Sequence, residues 1–246
     1  MNMAMTRNGV TVHRMNPVHG RGPAFYASLQ RPYCHGTNGE EAKHRLVSTL
    51  WDHLAAMGSP LWKRCQSATG TAFPIRLSCG PLGRPHLLLG EYRGPAISFS
   101  EGGGKVWAAL SGDASDIGID VAGADEFAGE YPFHRVFHPE ELEHALKLAD
   151  GDPGRASALL WSVKEAVVKA LGCAFHLVDP RQITVYPSAN GAAGVDEGYA
   201  FPVCLSGKAK ERFPMAAGRT LLVRSFPQGE MWLSVALLDR SPTGHE

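Results

Sequence analysis

The chain has 246 residues, 44% of them hydrophobic and 20% charged, the composition of a soluble globular protein with room for one large domain or two small ones. Twenty-four Lys and Arg balance 24 Asp and Glu, so no net field recruits nucleic acid or a membrane. No apolar run approaches a membrane span, and the N-terminus lacks the apolar core of a secretion signal.

The charges are unevenly placed. Residues 1–39 hold Arg7, Arg14, Arg21 and Arg31 and no acid, whereas acids dominate from Asp116 to Asp152, where Arg135 and Lys147 are the only Lys or Arg. Pro17, Gly20, Gly22 and Pro23 fit a loop or extended segment better than an amphipathic leader, so residues 1–38 are expected to be irregular. Cysteines 34, 65, 79, 173 and 204 are odd in number, with no C-x-x-C, which points to reduced thiols and a cytoplasmic location.

GEEAKHRLVSTLWDHLAAMG (39–58) is an amphipathic helix, with Leu46, Val47, Leu50, Trp51, Leu54 and Met57 at helical spacing and Gly58 as its stop. Residues 78–95, rich in Gly and Pro, read as loop with short extended pieces. PAISF (95–99) and KVWAALSG (105–112) read as strands joined by the EGGG turn. In SDIGIDVAG, Ile117, Ile119 and Val121 alternate onto one face, leaving Asp116, Gly118 and Asp120 on the other.

HPEELEHALKLAD (138–150) is a short acidic helix opened by Pro139, and a second helix runs over about 155–171 to Gly172. RQITVYP, YAFPVCL, TLLVRSF and MWLSVALLD follow as strands. Helices separating groups of antiparallel-looking strands make the class α+β, with a seam near residue 112 between an N-terminal half (1–112) and a C-terminal half (113–246).

EGGGK fails the phosphate-loop pattern, because Phe99 stands where the first Gly belongs and Val106 where Ser or Thr is needed; a hairpin turn is the favoured reading. His134 and His138 straddle Pro139 without a metalloprotease Glu and read as surface or packing histidines.

LLWSVKEAVVKALG (159–172) carries more. Leu159, Leu160, Val163, Ala166, Val167, Ala170 and Leu171 share one broad face; Glu165 and Lys169 lie opposite, with Lys164 on the flank. An exposed Glu-to-Lys pair at i, i+4 is commonplace and contributes only about 0.3–0.5 kcal/mol. Trp161 and Val168 on the same outer face imply that it is partly covered, and covered charges need partners. Asp120 has two readings at even weight. It is a solvent-facing strand-end carboxylate, or one ligand of a hard-cation site completed by a second carboxylate such as Glu165.

At these residues the chain resembles the 4′-phosphopantetheinyl transferase superfamily, in its two-halved Sfp-type branch. PLGRP (81–85) is similar to the Gly-Lys-Pro segment with Arg84 for Lys, and ISFSEGGGKVWAAL (97–110) to the Asn-x-Ser-His-Ser strand and turn. DIGIDV (116–121) resembles the Gly-x-Asp metal motif, and FHPEEL (137–142) the Phe-Ser-x-x-Glu segment. WSVKEAVVKALG (161–172) matches the W-x-x-K-E-A-x-x-K-x-x-G signature.

The resemblance implies two similar α/β subdomains with the ligand site between them. It implies an enzyme that moves the phosphopantetheine arm of coenzyme A to a serine of an apo acyl or peptidyl carrier protein. Asp120 and Glu165 would hold Mg2+, and Glu165 would be the base for the serine, with Lys164 and Lys169 on the pyrophosphate. Arg84, Pro85, Ser100 and Glu101 would line the nucleotide site. The expected partners are coenzyme A and the carrier protein, without nucleic acid or membrane, and the expected state is a monomer. Two positions depart from the branch: Ala122 replaces its usual second acid, and Glu101 stands where a His faces the 3′-phosphate. They motivate a second reading, a non-catalytic relative that binds carrier protein or a nucleotide.

Overall fold

The computed structural model describes residues 5–7, 9–15, 23–31, 39–69, 74–113, 115–128, 132–188, 198–216 and 221–238. Pro17, Gly20, Gly22 and Cys34 lie outside them. In chain order the elements are β1 (Met5–Arg7), β2 (Val10–Met15), β3 (Ala24–Gln30), α1 (Gly39–Ala56), α2 (Pro60–Thr69), β4 (Ile75–Cys79), β5 (Pro85–Leu89), β6 (Tyr92–Arg93), β7 (Ile97–Gly102), β8 (Lys105–Ser111) and β9 (Asp116–Gly123). Then follow α3 (Pro139–Leu148), α4 (Pro153–Leu171), β10 (Ile183–Val185), β11 (Tyr199–Leu205), α5 (Gly207–Arg212), β12 (Leu221–Gln228) and β13 (Met231–Leu238). The class is α+β, with two compact units, Met1–Ile117 and Gly118–Glu246.

The first unit has a five-stranded sheet ordered β1-β2-β3-β8-β7 and a three-stranded sheet β4-β5-β6. Helix α1 buries Ala42, Leu46, Val47, Leu50 and Leu54. They join Val10, Val12, Phe25, Ala27, Val106, Ala108 and Leu110 of the larger sheet in one core, to which β5 adds Leu87 and Leu89. Each fully buried Val, Leu or Phe side chain among them contributes roughly 1.5–3 kcal/mol.

One expectation is corrected here. The N-terminal stretch read as irregular contains β1, β2 and β3, because Val10 and Val12 alternate inward and Phe25 and Ala27 pair into the sheet beside β8. Residues 78–95, read as loop with short extended pieces, do hold short strands, β5 and β6, which pair with β4 in a small sheet; β4 and β5 are joined by a tight turn at Gly80–Gly83.

The second unit has a sheet ordered β10-β11-β12-β13-β9, with α4 lying along β13 and β12. Helix α4 starts where Asp152 accepts a bond from the Arg155 N–H (3.1 Å) and Pro153 occupies the first turn. It stops at Gly172 (φ 74°), whose N–H reaches the Lys169 carbonyl while the Cys173 N–H reaches that of Val168. The outer face carrying Val168 and Trp161 is covered. Val168 is fully buried, and Trp161 packs on Phe127 and Phe175.

On its inner face Ser162 donates to the Leu159 carbonyl (2.9 Å). Ser234 of β13 therefore donates to Ser162 (2.7 Å), and Ser225 of β12 donates to Ser234 (2.7 Å). This buried serine chain fixes the register of α4 on the sheet, since a slip would leave its hydroxyls unsatisfied. No helix among the described residues is long and apolar enough to cross a membrane, and none of the described cysteines forms a disulfide.

Candidate functional site

The site in the second unit begins with a missing side chain. A Cβ on Gly118 would overlap the Ala166 carbonyl oxygen and lie 2.5 Å from the Ala170 nitrogen. Glycine here therefore lets β9 run against the backbone of α4. Two residues further along the strand, on the same side, Asp120 reaches Lys169: Nζ to Oδ1 is 2.7 Å. The aspartate side chain is 8% exposed and the lysine 28%, so Asp120 is not a solvent-facing strand end.

Glu165 lies one turn before Lys169 on α4. Burial first, and then the Asp120 and Glu126 charges, push its carboxyl above the usual carboxylate range, with Lys169 opposing the shift. Glu126 is raised as well, by burial and by Asp120 and Asp125, against the Gly123 N–H that it accepts at 2.9 Å and against Lys169. Three carboxylates thus act on one another around a single ammonium, which leaves an excess of negative charge.

That donor set fits a hard cation. Magnesium takes oxygen ligands, typically one or two carboxylates, with waters and substrate phosphates filling the rest of an octahedron. Among the described residues no group of three or more His, Cys, Asp and Glu is placed to hold a metal ion without further ligands from substrate or water. Asp120 and Glu165 are the two carboxylates offered.

Lys164 departs from the expectation of a phosphate contact. It is fully buried, and its ammonium donates to Glu141 Oε2 (2.8 Å), the Val136 carbonyl (3.1 Å) and the Pro180 carbonyl (3.0 Å). All three of its donors are used inside the unit, so none remains for a ligand. Burial lowers its pKa, an effect that Glu141 opposes.

The remaining expected residues lie in the first unit. Arg84 makes a close ion pair with Asp116, both side chains mostly buried. Pro85 opens β5 opposite Cys79. Ser100 is 7% exposed on β7, opposite Trp107 of β8. Glu101, next to it, is exposed and pairs with Arg31 at 3.5 Å, so the carboxylate at the position of the expected His already has a basic partner. The structure brings Asp120, Glu165 and Lys169 together and places Lys164 elsewhere.

Sequence reasoning did not single out Glu126 or Asp116, and it met Glu141 only as the acid of the FHPEEL segment, without a role. Glu141 had a sequence signal, since it stands three residues after the helix-opening His138 and accepts the His138 N–H at 2.8 Å. Asp116 and Glu126 had none beyond being acids beside a motif.

No curated protein matches the chain. Among solved structures, a Chronobacterium ammoniagenes ACPS–CoA complex is 23% identical, over 52% of this chain and 99% of that one, with a TM-score of 0.42. Helicobacter pylori holo-[acyl-carrier-protein] synthase in complex with coenzyme A is 17% identical over 50% and 99%, with a TM-score of 0.37. The Neisseria meningitidis holo-[acyl-carrier-protein] synthase is 18% identical over 51% and 98%, with a TM-score of 0.40. Residues 116–217, the segment that holds Asp120, Glu165 and Lys169, match the family model described as the 4′-phosphopantetheinyl transferase superfamily.

Proposed function

We propose that the protein transfers the 4′-phosphopantetheine arm of coenzyme A to a serine of an apo carrier protein, with Mg2+ held by Asp120 and Glu165. The observation that carries this reading is the Asp120–Lys169 contact beside Glu165, in a segment that matches the superfamily model. Bound there, magnesium supplies Lewis-acid polarisation of the pyrophosphate.

The chain's own residues supply the rest. The serine oxygen attacks the phosphorus bearing the pantetheine arm, and the bond from that phosphorus to the bridging oxygen breaks. Adenosine 3′,5′-bisphosphate leaves with the electron pair. Glu165 takes the serine proton, directly or through water. Lys169, part-exposed, offsets charge developing on the leaving oxygens. Arg84, Pro85, Ser100 and Glu101 are proposed for the nucleotide. The Arg31–Glu101 pair supports a role for Arg31 in screening the Glu101 charge from phosphate.

The test is direct. Apo carrier protein, coenzyme A and magnesium are incubated with the protein, and the carrier is weighed by mass spectrometry. A gain of one phosphopantetheine arm is expected; no gain beside a working control enzyme rejects the reading.

A second reading, a non-catalytic relative that binds carrier protein or nucleotide, is favoured by Ala122 and by the engagement of Lys164 with Glu141. Calorimetry separates the two. Magnesium-dependent binding of coenzyme A that disappears in Asp120→Ala argues against a dead site.

A further inference from the structure

We infer that the buried Lys164–Glu141 pair is a positioning clamp that sets the rotation of α4 and so holds Glu165 and Lys169 toward Asp120. Lys164 is the residue before Glu165, and its ammonium is saturated by three acceptors in three places. These are Glu141 of α3, the Val136 carbonyl before α3, and the Pro180 carbonyl in the turn leading to β10. Glu141 is equally committed. Its Oε1 accepts the Val185 N–H of β10 (2.7 Å), and its Oε2 accepts the His138 N–H (2.8 Å) together with Lys164. The pair therefore ties α4 to the N-terminus of α3 and to both ends of the Pro180–Val185 segment.

Rotation matters because a helix turns 100° per residue and its side chains end about 6 Å from the axis. Turning α4 by roughly 20° would sweep Glu165 and Lys169 by about 2 Å, enough to break a contact such as the one at 2.7 Å to Asp120. On the opposite side of α4 the hydroxyl of Ser162 is held by Ser234, so the helix is fastened by polar contacts on both flanks. Stability alone does not call for charge here. An apolar pair of similar volume is often as stable as a buried ion pair or more so, whereas removing one partner strands a buried charge. What the ion pair adds is direction: five hydrogen bonds at fixed angles, which Met and Leu could not reproduce.

The site being positioned is the one proposed above, so the inference rests on that reading for its consequence in catalysis but not for its structural content. The test compares Lys164→Met, Glu141→Gln and the double variant Lys164→Met/Glu141→Leu in the full chain. The readouts are thermal midpoint, the 19F resonance of 5-fluorotryptophan at Trp161 (assigned with Trp161→Phe), and kcat and KM for coenzyme A. Trp161 lies one turn before Glu165 and reports on the same face of the helix without any ligand.

The expected result is a lowered midpoint in Lys164→Met, largely regained in the double variant, while the Trp161 resonance stays displaced and kcat stays at least tenfold down at little-changed KM. Glu141→Gln, which keeps an amide in place of the carboxylate and is the milder change, should displace the resonance and lower kcat in the same direction. It carries the test if the double variant does not fold. A double variant, or in its absence Glu141→Gln, with the native resonance overturns the clamp. So does a tenfold rise in KM on Lys164→Met with none on Glu141→Gln, which would make Lys164 a phosphate ligand. If the wild-type protein transfers nothing, the function reading fails, and the resonance and midpoint still decide the clamp.

Discussion

Lys169 donates to Asp120 across 49 residues of sequence, joining the middle of β9 to the last turn of α4 at 2.7 Å. The ammonium sits among carboxylates that outnumber it, since Glu165 and Glu126 both feel the Asp120 charge. A second cation on these acids relieves repulsion that Lys169 only partly offsets, and this electrostatic imbalance is the basis for the first two predictions.

Replacing Lys169 by Met leaves a carboxylate that is 8% exposed without its counter-charge. Removing one member of a fully buried pair costs about 3–5 kcal/mol, and a part-exposed lysine lowers this to about 2 kcal/mol. The expected outcome is a midpoint in urea lower by that equivalent. Added magnesium should restore part of the loss, because it supplies the missing positive charge. Equal loss with and without magnesium would speak against a cation on Asp120.

Glu165→Gln should act in the opposite direction. The carboxyl is raised by burial and by Asp120, so the folded state holds its proton more tightly than the unfolded chain does. The cost of ionising it in the fold therefore appears as pH rises through and above 4.5, and the neutral amide escapes that cost. The variant is expected to melt higher than wild type at pH 7, with the difference shrinking as pH falls toward 4.5, and to lose its stabilisation by magnesium. Differential scanning calorimetry across pH, with and without the ion, checks both halves.

Much of this arrangement was legible in the sequence. The apolar stripe of LLWSVKEAVVKALG placed α4, and Trp161 and Val168 on its outer side implied the cover that the structure supplies. The destination of Lys164 was not legible, because a flank position at 100° per residue does not say what stands opposite. Glu141 and Pro180, which capture it, lie 23 and 16 residues away in other elements. The strands β2 and β3 were obscured by the Pro and Gly residues between them, although VTVHRM alternates. In β4 to β6 the alternation of Leu77, Leu87 and Leu89 is split by Gly80, Gly83 and Gly90.

Gly118→Ala tests the close approach. The added methyl meets the backbone of α4 at Ala166 and Ala170, which cannot rotate out of the way as a side chain can. Overpacking of a dense core typically costs 1–3 kcal/mol, and a backbone obstacle puts this site at the upper end, about 3 kcal/mol. The expected result is a large drop in urea midpoint and separation of Asp120 from Lys169. The same substitution at Gly104 meets no atom within 4 Å, and its cost reflects only its left-handed φ of 69°.

Acid sensitivity should begin just below pH 6.5. Burial, reinforced by Lys105, Arg14 and Lys147 respectively, lowers the pKa of His13, His53 and His144 below 6.5. Between those lowered values and 6.5 the unfolded chain binds protons that the folded protein does not, so stability rises with pH there and is lost as pH falls. Replacing the three by Gln is expected to flatten the fall in thermal midpoint between pH 6.5 and 5 relative to wild type. An unchanged slope would mean that these rings titrate alike in both states.

Glu101 is the residue through which the proposed nucleotide site should show its preference. Its carboxylate is 42% exposed and 3.5 Å from Arg31, so its field is partly screened. A phosphate about 4 Å away would still be repelled by about 1 kcal/mol in a water-like medium. A ribose hydroxyl can instead donate to the carboxylate, the contrast that separates NAD from NADP sites. The protein is therefore expected to bind dephospho-coenzyme A at least as well as coenzyme A. Glu101→Gln should shift that ratio toward coenzyme A by about five- to tenfold, and Arg31→Ala should shift it the other way. Calorimetric titration of both nucleotides against the three proteins decides it. A preference for coenzyme A that neither substitution moves would place Glu101 away from the ribose.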